Sequence, residues 1–140
     1  MRKIARYVYI AVAWLAVVSF LATIYLAGMA VFANRSYWDI HREIGFAVGL
    51  IVPSFILLGL LSWIPRRLTS WLAAMLLFYF LHTSLPLLQD DLPWISAFHP
   101  VSAVGLVWLG LRHARRAGEL LLQRPAARAA PAPADSPSQA

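Results

Sequence analysis

Long apolar stretches separated by short charged segments dominate the pattern of this chain. Asp, Glu, Lys and Arg are absent from four stretches, which are Tyr7–Asn34, Ile44–Pro65, Leu68–Gln89 and Leu92–Leu111. A helix needs about 20 apolar residues to cross the hydrocarbon core of a bilayer, so each stretch is long enough. An open strand would leave backbone groups unpaired in lipid. The pattern therefore predicts four membrane-spanning helices, at about 7–33, 42–64, 68–88 and 94–113.

The segments between these helices are short. Ile64-Pro65-Arg66-Arg67 forms one predicted turn, and the turns at the other end lie near 36–39 and 90–93. Short connections favour antiparallel neighbours. The predicted fold is an all-α membrane protein, a four-transmembrane-helix up-down-up-down bundle over residues 1–118. Residues 119–140 are predicted to form a cytoplasmic tail, which is disordered from 125 because Pro, Ala and Ser dominate it.

The overall composition supports a membrane protein. The chain is 61% hydrophobic and only 13% charged, whereas soluble domains average about 45–50% and about 25%. It contains no cysteine, which excludes disulfides, thiolate metal sites and thiol nucleophiles. The first apolar stretch is longer than the apolar part of a secretory signal, typically about 7–15 residues, so an uncleaved helix is predicted.

The distribution of basic residues predicts the orientation. Ten of the twelve lie before the first helix, between the second and third, or after the fourth, and only Arg35 and Arg42 lie on the other side. This positive-inside bias predicts that both termini are cytoplasmic and that the chain lies in a cytoplasmic membrane. The net charge of +6 is then explained by the lipid surface, and no nucleic acid partner is predicted.

Two histidines are the main candidates for chemistry, because ionisable groups inside a membrane span are costly. His41 follows Trp38 by three residues and His99 follows Trp94 by five, so both are expected near the outer face at similar depths. Two neutral imidazoles facing each other inside a helix bundle are typical of a bis-histidine haem b site. His41 and His99 are therefore the predicted axial ligands.

The residues after His41 extend this candidate site. Gly45 and Gly49 follow at helical spacing and form a small-residue stripe. Such a stripe admits either a neighbouring helix or the edge of a macrocycle. Arg42 is a candidate partner for a haem propionate, with a solvent or headgroup contact as the alternative.

The other two histidines have weaker predicted roles. His82 lies within the third span and has three readings: a third ligand, a proton relay, or a packed neutral side chain bonded to a carbonyl, the last being favoured. His113 lies among Arg112, Arg115 and Arg116, where an interfacial cation is expected.

Three functions remain open on the sequence. The first is a b-type haem protein in electron transfer or haem handling, which would need a quinone or protein redox partner. The second is a non-enzymatic accessory subunit or oligomer, in which the histidines are interfacial hydrogen-bonders and the glycines pack helices. The third is a metal site built from His41, His82 and His99 with a carboxylate of the outer loop. No catalytic residue is predicted, since no hydrolase triad, phosphate loop or di-iron motif occurs.

Over about residues 7–118 the chain resembles an uncharacterised family of small four-helix bacterial membrane proteins. The resemblance rests on Leu26-Ala27-Gly28 with Phe32, Trp38-Asp39-x-His41-Arg42-x-x-Gly45, Pro65-Arg66-Arg67, Leu92-Pro93-Trp94 and His99-Pro100-Val101. Ser102 and His82 depart from the pattern of that family. More distantly, the chain is similar to haem-binding four-helix units such as half of haem A synthase. That similarity implies haem ligation by His41 and His99, but not the synthase reaction.

Overall fold

A computed structural model describes residues 2–122, in which six α-helices and one 3-10 turn form four spans and no strand occurs. The helices are α1 (Arg2–Phe32), α2 (Tyr37–Gly49), α3 (Ile51–Ser62), α4 (Arg66–Ser84), α5 (Pro93–Ser96) and α6 (His99–Leu122), and the 3-10 turn is Leu85–Leu88. All four spans are long and apolar enough to cross a membrane. The predicted all-α four-helix fold is confirmed. The predicted disordered segment from 125 lies outside the described residues.

A proline lies at or near each of the three breaks within the spans. Pro53 has no N–H to bond the carbonyl of Gly49, and its ring crowds that carbonyl, so the second span is interrupted at Leu50 between α2 and α3. Pro86 lies in the 3-10 turn that ends the third span. The fourth span begins with the short helix α5 and resumes at His99, an irregular start that Pro100 predicts.

The core forms where α1 meets the other helices. α1 packs against α2, α3 and α6, and α4 packs against α6. Small residues of α1 and α6 allow the close approach, and the buried ones include Ala13, Ala16, Gly110, Ala114 and Ala117. α3 and α4 are joined by a turn but are not packed closely along their lengths. This leaves a groove between the second and third spans.

The two ends of the bundle differ in chemistry. We call the end that contains the start of α1, the α3–α4 turn and the second half of α6 the basic end. The other end contains the α1–α2 turn and the segment from 85 to 98, and we call it the histidine end because His41, His82 and His99 lie there.

Candidate functional site

Three histidines from three spans meet at the histidine end. The ring centres of His41 and His99 are 6.3 Å apart, at an interplanar angle of 80°. His82 stacks on His99 with ring centres 4.0 Å apart and an angle of 17°. The structure thus brings together the two predicted ligands from α2 and α6, and adds His82 of α4. We call these three side chains the histidine cluster; each is partly buried.

Backbone carbonyls hold the two predicted ligands in one tautomer. Nδ1 of His41 lies 2.8 Å from the carbonyl oxygen of Thr23 in α1. Nδ1 of His99 lies 3.0 Å from the carbonyl oxygen of His82 in α4. Since a carbonyl can only accept, Nδ1 must carry the proton in both rings. In the neutral imidazole this leaves the lone pair on Nε2, the arrangement typical of histidines that bind metals.

His82 reaches the same tautomer through a hydroxyl. The Ser102 hydroxyl donates to the carbonyl oxygen of His99 at 2.8 Å, which uses its only proton. Nδ1 of His82, 2.7 Å from Ser102 Oγ, must therefore donate to that oxygen. His82 and His99 are thus linked in both directions. The carbonyl of His82 accepts a hydrogen bond from Nδ1 of His99. The carbonyl of His99 accepts one from the Ser102 hydroxyl, whose oxygen accepts one from Nδ1 of His82. The favoured reading expected a carbonyl as the partner of His82, and the structure has the Ser102 hydroxyl in that place.

The geometry does not support the three-histidine metal site. Within residues 2–122, no group of three or more His, Asp or Glu side chains is arranged to hold a metal ion. Stacking is the physical reason, because parallel rings present their faces to each other and keep their ring nitrogens from converging on one point. Asp90 and Asp91 take part in no ion pair or hydrogen bond within the described residues.

The glycine stripe does not pack a helix. A Cβ added at Gly45 would meet nothing within 4 Å, and one at Gly49 would meet only the Tyr79 hydroxyl at 3.4 Å. That hydroxyl donates to the carbonyl of Gly45 at 3.1 Å. Close helix packing occurs instead at Gly105 and Gly110 of α6, which the sequence reasoning did not assign to packing. Open space therefore remains beside α2, one turn below His41.

The neighbours of His41 on the exposed side are an arginine and a tryptophan. Arg42 forms an ion pair with Asp39, one turn earlier on the helix, and both side chains are about two-thirds exposed, at 68% and 67%. The indole of Trp38 meets the ring of His41 edge-on, with centres 5.5 Å apart. Arg42 is thus paired with Asp39, and its guanidinium stays at the surface near the cluster, as the solvent alternative predicts.

His113 corrects an expectation. Its side chain is fully buried, not interfacial, although its neighbours Arg112, Arg115 and Arg116 are exposed. Its Nε2 lies 2.8 Å from the Tyr9 hydroxyl, and Phe55 meets both rings edge-on. The reason is helical phase, because His113 shares the face of Gly110, Ala114 and Ala117 that packs on α1. Nδ1 of His113 and Oγ of Ser62 are buried without a partner in the described part of the chain.

Comparison with known proteins gives one match. Residues 23–85 match the model of a family described as a family of unknown function, DUF6220. The resemblance to an uncharacterised family is confirmed over that segment, which includes His41 and His82 but not His99. No curated protein and no solved structure matches the chain, so the similarity to haem A synthase is not shown.

Proposed function

We propose that this membrane protein binds haem b with His41 and His99 as axial ligands, and that it acts in electron transfer or haem handling. One observation carries the proposal. Two histidines on different spans each donate Nδ1–H to a backbone carbonyl, at 2.8 and 3.0 Å, and so keep an Nε2 lone pair for a metal. Imidazoles inside a membrane protein are seldom arranged this way without a function.

The separation of the two rings agrees with this role. Imidazoles that bind opposite faces of one metal through Nε2, at about 2.0–2.1 Å, have ring centres about 6 Å apart. The observed separation of His41 and His99 is 6.3 Å. A Cβ at Gly45, one turn after His41, would meet nothing within 4 Å, and this open position on α2 supports the presence of room for a flat ligand.

The residues around the pair have distinct supporting roles. The Thr23 and His82 carbonyls orient the ligands and raise the basicity of Nε2. The exposed guanidinium of Arg42 can pair with a propionate if it exchanges its contact with Asp39.

When bound, the haem would supply one-electron redox chemistry. A single haem near one face exchanges electrons with a quinone or a redox protein, which is the proposed partner class. By the positive-inside rule, the site faces the outer side of the bacterial cytoplasmic membrane and both termini are cytoplasmic.

The test uses substitutions that separate ligation from hydrogen bonding. Asparagine places its amide nitrogen near the position of Nδ1 and has no atom at the position of Nε2. The full chain is expressed with added haem, purified in detergent, and examined by optical spectroscopy in the oxidised and reduced states. We expect a stoichiometric b-type spectrum in the wild type and its loss in His41→Asn and in His99→Asn, with the thermal unfolding of both variants close to that of the haem-free wild type.

His82→Asn is the matched control. It keeps the donor to Ser102 and removes the stacking ring together with an Nε2 that the proposal does not use, so its haem content is expected to equal that of the wild type. A wild type that stays colourless after haem titration would overturn the proposal. Loss of haem in His82→Asn, as in the other two variants, would contradict the assignment of two ligands.

A second candidate, an accessory or structural subunit, is favoured by the same hydrogen bonds. They join α1 to α2 and α4 to α6, which makes the histidine cluster a set of interhelical contacts. In that case the protein binds no haem, the asparagine variants keep wild-type stability, and His41→Ala and His99→Ala unfold at lower temperature. The colour of the wild-type protein therefore distinguishes the two functions.

A further inference from the structure

A groove opens between the second and third spans at the basic end. It has a volume of about 520 Å³, within the range of about 300–1,000 Å³ that is common for ligand sites. Its walls are apolar side chains of α3 and α4 and of the turn between them, together with Thr69. The groove-lining residues are Phe55, Ile56, Gly59, Leu60, Trp63, Ile64, Thr69, Leu72, Ala73 and Leu76. A long apolar chain fits such a wall better than a polar ligand does.

Two arginines follow the turn that lines this groove, and we call their position the mouth of the groove. Arg66 and Arg67 begin α4, directly after the groove-lining turn, and both are exposed. Within the part of the chain that the structure describes, neither takes part in an ion pair. The only acidic residue at the described basic end is Glu119, and Arg116 already pairs with it. The two charges at the mouth are thus available to an anion.

The backbone at the start of α4 also favours the binding of an anion. The N–H groups of Leu68 and Thr69 both bond the carbonyl of Pro65, at 2.8 and 3.1 Å. The remaining N–H groups of the first turn of α4 belong to Arg66 and Arg67, and no side chain of the described residues caps this end of the helix. The positive end of the helix dipole adds to the guanidinium charges.

Trp63 marks the level of the membrane surface. It ends α3 in the left-handed region with φ of 52°, which non-glycine residues seldom adopt. The indole lines the groove and is 73% exposed. Indoles concentrate where the hydrocarbon core meets the headgroups. The apolar groove, the interfacial ring and the cationic mouth therefore follow one another in the order of the parts of a phospholipid.

We propose that this groove binds one anionic phospholipid of the leaflet at the basic end. Its phosphate contacts Arg66 and Arg67, and an acyl chain lies along α3 and α4. Basic pockets between membrane helices are known to bind such headgroups. The proposal is independent of haem binding, because the groove lies at the opposite end of the bundle from the histidine cluster.

The contribution of the two arginines to lipid binding is tested by titrating lipids into the full chain in detergent. Bound lipids are counted by native mass spectrometry, with phosphatidylglycerol compared against phosphatidylcholine of the same acyl chains. We expect a preference of at least about tenfold for the anionic lipid, since each basic group near a membrane surface contributes appreciably. The double variant Arg66→Gln and Arg67→Gln is expected to abolish this preference. Arg112→Gln with Arg115→Gln removes the same charge from α6 and should leave the preference unchanged.

Binding of the lipid in the groove is tested by placing a bulky side chain in the groove and, as a control, at the neighbouring position outside it. Ala73 lines the groove, and Ala74 is exposed but does not line it. Ala73→Phe should lower the occupancy of the anionic lipid several-fold, and Ala74→Phe should not. If the two arginine double variants lost the preference for anionic lipid equally, the lipid would be attracted by the overall charge of the basic end and not by this groove, and the proposal would be overturned. So would unchanged binding in Ala73→Phe, or displacement of the lipid by an uncharged quinone at equal concentration.

Discussion

The hydrogen-bond partner of each histidine decides which ring nitrogen is left for chemistry. At the histidine end, the Nδ1 atoms of His41 and His99 are bonded to carbonyls, and Nε2 is the free acceptor. At the basic end, the Nε2 of His113 is bonded to Tyr9, and Nδ1 is the buried atom without a partner. Within residues 2–122, histidines at the two ends thus leave different ring nitrogens without a partner, a difference that depends on hydrogen bonds to other helices.

The Tyr9–His113 pair provides a stability prediction at this scale. Tyr9→Phe removes the one partner of a fully buried histidine, and leaving a buried polar group unsatisfied costs about 1–3 kcal/mol. We expect the free energy of unfolding to fall by about that amount in mixed detergent micelles. Adding His113→Leu should restore part of the loss, because it removes the unpaired group itself. Wild-type stability in Tyr9→Phe would show that the hydrogen bond contributes little.

Helix packing depends on where each glycine faces. Gly105 lies against the ring of Phe78, so an added Cβ would stand 2.9 Å from two ring carbons. Gly118, on the same helix, has nothing within 4 Å of its Cβ position. Gly45 and Gly49 form the most regular stripe in the sequence, but they do not make the close contact. The spacing of glycines alone therefore does not identify the packed face.

Substituting these two glycines of α6 tests the difference. Gly105→Ala forces Phe78 to move, and we expect a loss of about 1–3 kcal/mol in the free energy of unfolding. Gly118→Ala adds a methyl group to an open helical position, where a gain of up to about 1 kcal/mol is expected from helix propensity. Both are measured by unfolding in the same detergent mixture. A Gly105→Ala variant as stable as Gly118→Ala would contradict the observed approach of α4 and α6.

The whole molecule is polarised, with basic residues at one end and the histidine cluster at the other. This polarity predicts an orientation that labelling can check, since the chain has no cysteine of its own. We expect Ser36→Cys and Asp90→Cys to react with a membrane-impermeant maleimide in intact bacterial cells from which the outer membrane has been removed. Ser136→Cys should react only after lysis. The reverse labelling pattern would place the histidine cluster on the cytoplasmic side.

The sequence by itself determined the spans, the turns and the polarity of the molecule. These follow from local properties: the length of each uncharged stretch, the prolines at 53, 86 and 100, and the distribution of arginines. It also identified His41 and His99 as a pair, because their similar distances from the tryptophans Trp38 and Trp94 indicate similar depths. Only the tertiary structure decided which helix faces meet. The stacking of His82 on His99, the burial of His113 and the groove beside Arg66 all depend on rotation of the helices about their axes. In an almost uniformly apolar helix that rotation leaves little trace in the sequence, since the lipid-facing and core-facing sides carry the same kinds of residue.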